Sequence, residues 1–187
     1  MVLRNDLPQL RQFDTTIQQW IDQLDRYTLA LLCRPPRAGS WSLGQVYKHI
    51  IEATGWFAGQ MKEALKCREN GDKTMHPDAR AMFERNGFPD ILIEGPATNT
   101  FIPQPQSKEE LARQLTAIKT TVDDLFREFD PALSTGKTRH PGLHFFSALE
   151  WLQFSEMHMR HHLRQKERID AVLADTRDAE QDGKAAG

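Results

Sequence analysis

Four segments of this chain repeat apolar residues at every third or fourth position, which is the period of an amphipathic α-helix. The first segment covers residues 7–31, and the Pro35-Pro36 pair that follows it cannot continue a helix. The other three segments begin at capping boxes, in which a serine precedes Gln or Glu by three positions, and these serines are Ser42, Ser107 and Ser147. Because no segment shows the two-residue alternation of a half-buried strand, the pattern predicts an all-α protein.

The connections between these helices predict how the bundle is arranged. About forty residues, 68–106, separate the second helix from the third, whereas bundle connections typically take about 2–8 residues. This Gly- and Pro-rich stretch, with room for a short helix near residues 78–86, can run along the bundle and start the third helix in the direction of the second. A second long link, residues 130–146, precedes the fourth helix, which covers residues 147–173. We therefore expect a four-helix bundle of up-down-down-up topology with one long crossover between helices two and three.

Length and charge limit the number of domains and the kinds of partner. The chain has 187 residues, enough for one domain with its own core. We expect residues 1–174 to form the bundle and the polar segment 175–187 to be a flexible tail. The formal net charge of −2 gives no bulk attraction to nucleic acid or to an anionic membrane, and no apolar run approaches the ~20 residues of a transmembrane helix. Neither a nucleic-acid nor a membrane partner is expected.

The cysteines and the N-terminal residues bear on the location of the protein in the cell. Cys33 and Cys67 are far apart and match neither a zinc nor a redox spacing, so we expect small buried side chains rather than a disulfide. The first six residues lack the charged-then-apolar pattern of a signal peptide. A cytoplasmic location is the default expectation.

Three of the seven histidines fall within five positions of the fourth helix: His158, His161 and His162. Residues four apart lie on one face of a helix about one turn from each other, so His158 and His162 can direct their rings to a common point. Two neutral imidazoles at this spacing are a frequent way for a helix to hold a transition metal. His161 forms a competing pair with His158 and leaves open which of the two adjacent histidines faces inward.

A third ligand can come from His49, which lies two turns into the second helix between the apolar residues Val46 and Ile50. An imidazole is unusual at the edge of a core stripe unless it is paired, and the alternative is a hydrogen-bonded core histidine. In an up-down-down-up bundle the second and fourth helices are antiparallel. At about 1.5 Å per residue, this arrangement brings His49 into register with His158 and His162.

The remaining candidates are expected in supporting positions. His140 and His144 precede His158 by more than ten residues, roughly 20 Å along the helix axis, so we expect them at the other end of the bundle in loop-structuring roles, and His76 likewise in its loop. A ligating imidazole usually donates its second N–H to an oxygen acceptor, for which the candidates are Glu156 and Gln165, with an ordinary surface role as the alternative for each. Glu52, three residues after His49, is expected to be solvated.

Two stretches resemble the sequence signatures of the DinB/YfiT-like superfamily. One is residues 41–50, Trp-Ser-Leu-Gly-Gln-Val-Tyr-Lys-His-Ile, and the other is His158-x-x-His161-His162-x-x-Gln165. They are similar to a Trp-Ser-led helix with one histidine and to a late His-x-x-x-His helix often continued by Gln. The stretch 140–144, His-Pro-Gly-Leu-His, with the later Glu-Trp pair, resembles one branch of the same superfamily.

This resemblance implies a four-helix bundle, commonly a dimer, with a divalent transition metal on three histidines, which by position are His49, His158 and His162. Zinc or nickel is the first expectation for the metal, with iron, copper or manganese as alternatives. Three histidines leave a coordination position for water or a thiol, so the resemblance favours a metal-dependent enzyme, either a hydrolase or a transferase to a low-molecular-weight thiol. No catalytic residue is identified.

A different class of function stays open. The metal could staple helices two and four in a non-catalytic bundle with a stress-response or scaffold role. We also expect a homodimer, because amphipathic bundles with exposed aromatic residues often pair and because the resemblance points the same way. A small molecule or a thiol is the expected ligand.

Overall fold

The second, third and fourth long helices begin at the predicted capping signals, whereas the first has no side-chain cap. The computed structural model describes residues 7–89 and 102–185, with the side chains of the last helix described as far as residue 175. Ser42 forms a full capping box with Gln45: its Oγ accepts from the Gln45 N–H at 3.2 Å, and the Gln45 Oε1 accepts from the Ser42 N–H at 3.0 Å. The helices and strands are α1 (Pro8–Gln23), α2 (Leu29–Cys33), α3 (Leu43–Lys66), α4 (Pro77–Glu84), α5 (Lys108–Glu128), β1 (Thr138–His140), β2 (His144–Phe146) and α6 (Ala148–Ala185).

The first predicted helix is divided in two, although its apolar period continues through the break. α1 ends at Gln23, and a 3₁₀ turn at Leu24–Arg26 leads to Tyr27, whose backbone is extended. α2 starts after Thr28, whose hydroxyl accepts from the N–H of Leu31 and caps the new helix. The Tyr27 hydroxyl donates to the carboxylate of Asp170, at 2.8 and 2.9 Å from its two oxygens. The break therefore attaches this end of α1 to α6.

Contacts of α1 and α3 with their neighbours establish two parallel helix pairs. α1 and α6 run in the same direction, because Thr16 bonds to Glu156 and the later residue Tyr27 bonds to Asp170. α3 and α5 also run together. The start of α3 is packed so tightly that a Cβ on Gly44 would lie 2.7 Å from Pro105, just before α5, and at the other end the Lys66 ammonium lies over the ring of Phe129.

α3 and α6 run in opposite directions. His49, near the start of α3, lies against His158, whereas Phe57, two turns later, stacks on Trp151, which comes earlier in α6. Together with the two parallel pairs, this gives the predicted up-down-down-up bundle. The crossover between α3 and α5 contains the short helix α4, in the region where one was expected.

A small antiparallel hairpin precedes α6, although the sequence predicted no strand. β1 pairs with β2 so that His140 stands opposite His144. His144 has a φ of 68°, and the Nδ1 atom of His140 accepts from the backbone N–H groups of Gly142 and Leu143, each at 3.2 Å. Strands of three residues are too short for the alternation by which sequence analysis recognises a strand.

The core lies between the four long helices. Trp20, Tyr47 and Trp151 are fully buried, and Trp20 meets Tyr47 edge-on with ring centroids 4.8 Å apart. α6 continues as a helix to Ala185, through most of the segment 175–187 that was predicted as a separate tail, and the flexibility of that segment stays a prediction. Within the described ranges, no helix combines the length and the apolar character that crossing a membrane would need.

Candidate metal centre

Two histidines of α6 direct their rings to one point, as their spacing predicted. The Nε2 atoms of His158 and His162 are 3.2 Å apart. Both residues belong to one uninterrupted helix, so the four-residue offset alone places them a turn apart on one face. His161 faces elsewhere: its Nδ1 lies 3.0 Å from an Nη2 of Arg164. The structure therefore decides that His162, rather than His161, joins His158.

His49 of α3 completes the group. Its Nε2 atom lies 3.3 Å from the Nε2 of His158, and its ring meets that of His162 with centroids 4.8 Å apart. Val46 and Ile50 beside it are fully buried, which holds this turn of α3 against the core. One ligand atom from each of the three histidines lies within 4.8 Å of the other two.

The spacing of these nitrogen atoms fits a metal better than a hydrogen-bond network. Ligands about 2.0–2.1 Å from a tetrahedral zinc ion are roughly 3.3–3.4 Å from each other. The two Nε2 separations in the structure, 3.3 and 3.2 Å, are close to that value. A neutral imidazole nitrogen carries either one hydrogen or one lone pair, so a single Nε2 of His158 cannot make two well-formed hydrogen bonds at once. A shared cation would accept a lone pair from each of the three histidines.

Gln165 determines which nitrogen of His162 faces the centre. Its Oε1 lies 2.7 Å from the Nδ1 of His162, and because an amide oxygen only accepts, this Nδ1 carries the hydrogen. The Nε2 of His162 therefore directs a lone pair at the other two rings. The Nδ1 of His158 is buried and has no hydrogen-bond partner among the described residues.

Burial keeps all three imidazoles neutral. Desolvation lowers the pKa of His49 to about 4 and that of His162 to about 3. Burial also lowers the pKa of His158 well below its usual value, and the neighbouring histidines lower it further. A histidine must be neutral to bind a metal, so near neutral pH these side chains are already in the ligand form.

Aromatic rings surround the three histidines. Phe57 of α3 is buried and meets His158 edge-on with centroids 5.4 Å apart. Phe88, from the crossover, lies 6.1 Å from His158, and Trp41, just before α3, lies 5.4 Å from His49. The crossover between α3 and α5 thus contributes a ring to the surroundings of the three histidines. The position of Phe88 had no sequence signal, because it belongs to no periodic segment.

Of the two predicted acceptors for a ligating imidazole, only Gln165 has that role. Glu156 is buried, at 4% exposure, but its carboxylate accepts from Arg160 and from Thr16 on α1 instead. Glu52 is exposed, as expected. Within the described residues, no carboxylate is hydrogen-bonded to any of the three imidazoles.

The placement of His140 at the opposite end of the bundle was wrong. Its ring packs on Phe154 and Trp151, with centroids 5.2 and 5.6 Å apart, in the same aromatic cluster that reaches His158 through Phe57. The sequence-based distance of roughly 20 Å assumed that the chain before α6 continues along the helix axis. In the structure, the hairpin of β1 and β2 folds back along α6 instead. The loop-structuring role is seen in the bonds from His140 to Gly142 and Leu143.

His144 and His76 lie together, away from the metal centre. His144 is exposed and its ring meets that of His76 edge-on, with centroids 5.0 Å apart. The Nδ1 of His76 accepts from the N–H of Asp78 and so caps α4. His76 thus structures its loop as predicted, whereas His144 is the first residue of β2 and its loop-structuring role stays a prediction.

The family model of the DinB superfamily matches residues 12–165, a range that includes all three converging histidines. The chain belongs to the DinB superfamily. Membership agrees with the bundle topology and with the resemblance carried by residues 41–50 and by the late histidine helix. A comparison with curated proteins finds no match.

Two solved structures share the fold of this DinB-superfamily chain. YfiT from Bacillus subtilis, described as a probable metal-dependent hydrolase with an unusual four-helix bundle topology, is 13% identical with a TM-score of 0.64, over 89% of this chain and 86% of that one. TT2238, described as a four-helix bundle protein, is 17% identical with a TM-score of 0.57, over 86% of this chain and 96% of that one. Identities this low establish the fold and leave the activity to be argued from the site.

Proposed function

We propose that this protein is a metal-dependent enzyme whose divalent transition metal is held by His49, His158 and His162. The observation that carries the proposal is the convergence of three neutral imidazoles, with Nε2 separations of 3.3 and 3.2 Å, in a partly buried site. Imidazole ligands suit zinc and nickel, and iron, copper or manganese are the alternatives. The description of YfiT as a probable metal-dependent hydrolase supports the same class of activity.

The ligand set favours catalysis over a structural staple. Structural zinc sites usually fill four positions with protein ligands, whereas catalytic sites use three and keep one for water or substrate. A metal bound here would supply Lewis acidity and lower the pKa of a water or thiol in the remaining position. We propose hydrolysis or transfer to a low-molecular-weight thiol as the reaction.

The residues around the three histidines have roles of their own in this proposal. Gln165 holds the Nδ1 hydrogen of His162 and so orients its ring. Phe57 and Phe88 pack beside His158 and exclude water from that side of the site.

Metal analysis of purified variants tests the ligand set. We expect about one divalent metal per chain in the wild type and a large loss of bound metal in the His49→Ala, His158→Ala and His162→Ala variants. His144→Ala is the matched control, since His144 is exposed and lies outside the site, and it should keep full occupancy. Full occupancy in any of the first three variants would remove that residue from the ligand set.

Cobalt substitution distinguishes a catalytic metal site from a purely structural one. The visible absorption of a bound cobalt ion changes when a ligand in its coordination shell exchanges. We expect added thiols and small anions to shift this spectrum in the wild-type protein. An unchanged spectrum across the series would show a closed metal and would favour the structural role.

A further inference from the structure

Two partly buried aromatic rings flank the histidine centre on the sides of its two helices. Trp41, next to the start of α3, packs against His49 with centroids 5.4 Å apart. Phe88 packs against His158 and His161 of α6, at 6.1 and 5.5 Å. The buried ring of Phe57 packs edge-on against His158 of the same centre. Trp41 and Phe88 are therefore the less enclosed of the three rings beside the centre.

Three polar side chains of α6 form hydrogen bonds with Phe88 or with Asn86, two residues before it. Arg164 donates to the carbonyl of Phe88 at 3.2 Å. One turn earlier, Arg160 donates to the carbonyl of Asn86 at 2.8 Å, and the side-chain amide of Gln153 donates to the Asn86 Oδ1 at 3.2 Å. These three residues are spaced by seven and four positions along α6, so they lie on one face of it. They hold the segment that follows α4 against the helix that carries His158.

Trp41 directly precedes the first turn of α3, and that turn is hydrogen-bonded to the chain before α5. The next residue, Ser42, caps α3 and also donates its hydroxyl to the Oε1 of Gln104 at 2.7 Å. The side-chain amide of Gln45 donates to the carbonyl of Ile102 at 2.6 Å. The returning end of the crossover is thus bonded to the first turn of α3. Phe88 is thus bonded to α6 through its own carbonyl, and Trp41 directly precedes the residue that caps α3, so each ring is held beside a helix that supplies a metal ligand.

We propose that Trp41 and Phe88 form a binding site for a flat apolar group of the ligand whose polar head occupies the remaining metal position. This inference rests on the proposed function and adds the class of substrate: a small molecule that joins a metal-binding head to an aromatic or similarly flat tail. Partly buried rings bury such a tail and stack on it, and one aromatic contact contributes about 0.5–1.5 kcal/mol beyond area burial, or up to roughly tenfold in affinity. Phe88 and Trp41 are the specificity-determining residues, and Arg164 positions Phe88.

Two hydroxamates with the same metal-binding head and different tails test this site. Acetohydroxamate and benzohydroxamate are titrated into the full-length cobalt-substituted protein, and the visible spectrum gives the dissociation constant of each. We expect the wild type to bind benzohydroxamate about tenfold more tightly. In the Phe88→Ala and Trp41→Ala variants this preference should fall to below about threefold, while the affinity for acetohydroxamate stays near the wild-type value.

Trp56→Ala is the matched control, because Trp56 is an exposed ring of α3 that contacts Phe57 and Trp151 but none of the three histidines. It should keep the wild-type preference. If an alanine variant does not fold, Phe88→Leu keeps the volume without the flat ring and should still reduce the preference. Arg164→Lys, which keeps the charge and a donor, should retain more of the preference than Arg164→Ala.

The outcomes separate this inference from the metal proposal. Equal binding of both hydroxamates by the wild type, or a preference that survives removal of both rings, overturns the aromatic site while leaving the exchangeable metal position intact. If neither hydroxamate changes the spectrum, the remaining metal position is closed, and the proposed function fails together with the inference.

Discussion

Gln165 accepts a hydrogen bond from the Nδ1 of His162 at 2.7 Å, three residues further along the same helix. The contact joins two side chains of one turn of α6 and needs no residue from another helix. It selects the tautomer in which the Nε2 of His162 directs its lone pair toward His49 and His158. The orientation of this ring is therefore prepared before any metal binds.

Removing the Gln165 acceptor should weaken metal binding. Loss of such a partner typically costs about 10–100-fold in metal affinity, so we expect a decrease of this size in Gln165→Ala. Gln165→Glu keeps an oxygen acceptor and should bind close to the wild-type level. Competition with a chromophoric chelator measures both affinities. Gln18→Ala, an exposed position on α1, is the control, and an unchanged affinity in Gln165→Ala would show that the contact has no role in binding.

The metal-free protein should lose stability as the pH falls from about 6.5 toward about 4. Burial lowers the pKa of His140 to about 4, below the 6.5 of the unfolded chain. Between these values the unfolded state binds the extra proton, so the free energy of unfolding decreases with decreasing pH and is unaffected by this group above 6.5. Protonation also breaks the bonds that its Nδ1 accepts from Gly142 and Leu143.

The matched variant is His140→Asn, whose Oδ1 can accept at nearly the position of the imidazole Nδ1 but does not titrate. Urea unfolding at a series of pH values, with chelator present, gives the slope for each protein. We expect a shallower slope in the variant between pH 6.5 and 4, with the remaining slope due to His49, His158 and His162, whose pKa values burial also lowers. Identical slopes would contradict this role of His140.

Arg160→Met should destabilise the fold by leaving the Glu156 carboxylate buried without its cation. Arg160 donates to both oxygens of Glu156, which is 4% exposed and also accepts from Thr16. Removing one partner of a buried pair costs about 3–5 kcal/mol, and partial exposure of Arg160 reduces our expectation to roughly 2–3 kcal/mol. Chemical denaturation measures it. The double variant Glu156→Leu with Arg160→Met should recover at least half of the loss, and equal instability of the single and double variants would refute the explanation.

We expect the protein to be a homodimer at micromolar concentration, with a helix face at the interface. Trp56 on α3 and Leu133 are the large apolar side chains that the described residues leave exposed, at 42% and 83%. Light scattering should give twice the 21.5 kDa mass of one chain. Trp56→Glu should favour the monomer, whereas Leu133→Glu, outside the long helices, should not. A mass of one chain throughout this concentration range would exclude the dimer.

The helices were predictable because their signals are local. The capping box of Ser42 and Gln45 lies within four residues, and the structure forms both of its bonds. The division of the first helix was not predictable in the same way, because Tyr27 is held by Asp170, which lies 143 positions away in the sequence. The position of His140 was predicted wrongly for a similar reason. The rise per residue gives the distance to His158 only along a continuous helix, and the hairpin before α6 turns the chain back.

The sequence by itself determined that His158 and His162 share a face of one helix, because the four-residue offset and the helical geometry leave no other arrangement. It also made His49 a candidate, since an imidazole at the edge of an apolar stripe requires a partner. Only the tertiary structure decided that His49 reaches His158, 109 positions away, at 3.3 Å. It also decided that Phe88 of the crossover borders the same site. Such contacts depend on how the helices pack in register, and that register is set by the whole core rather than by any one segment.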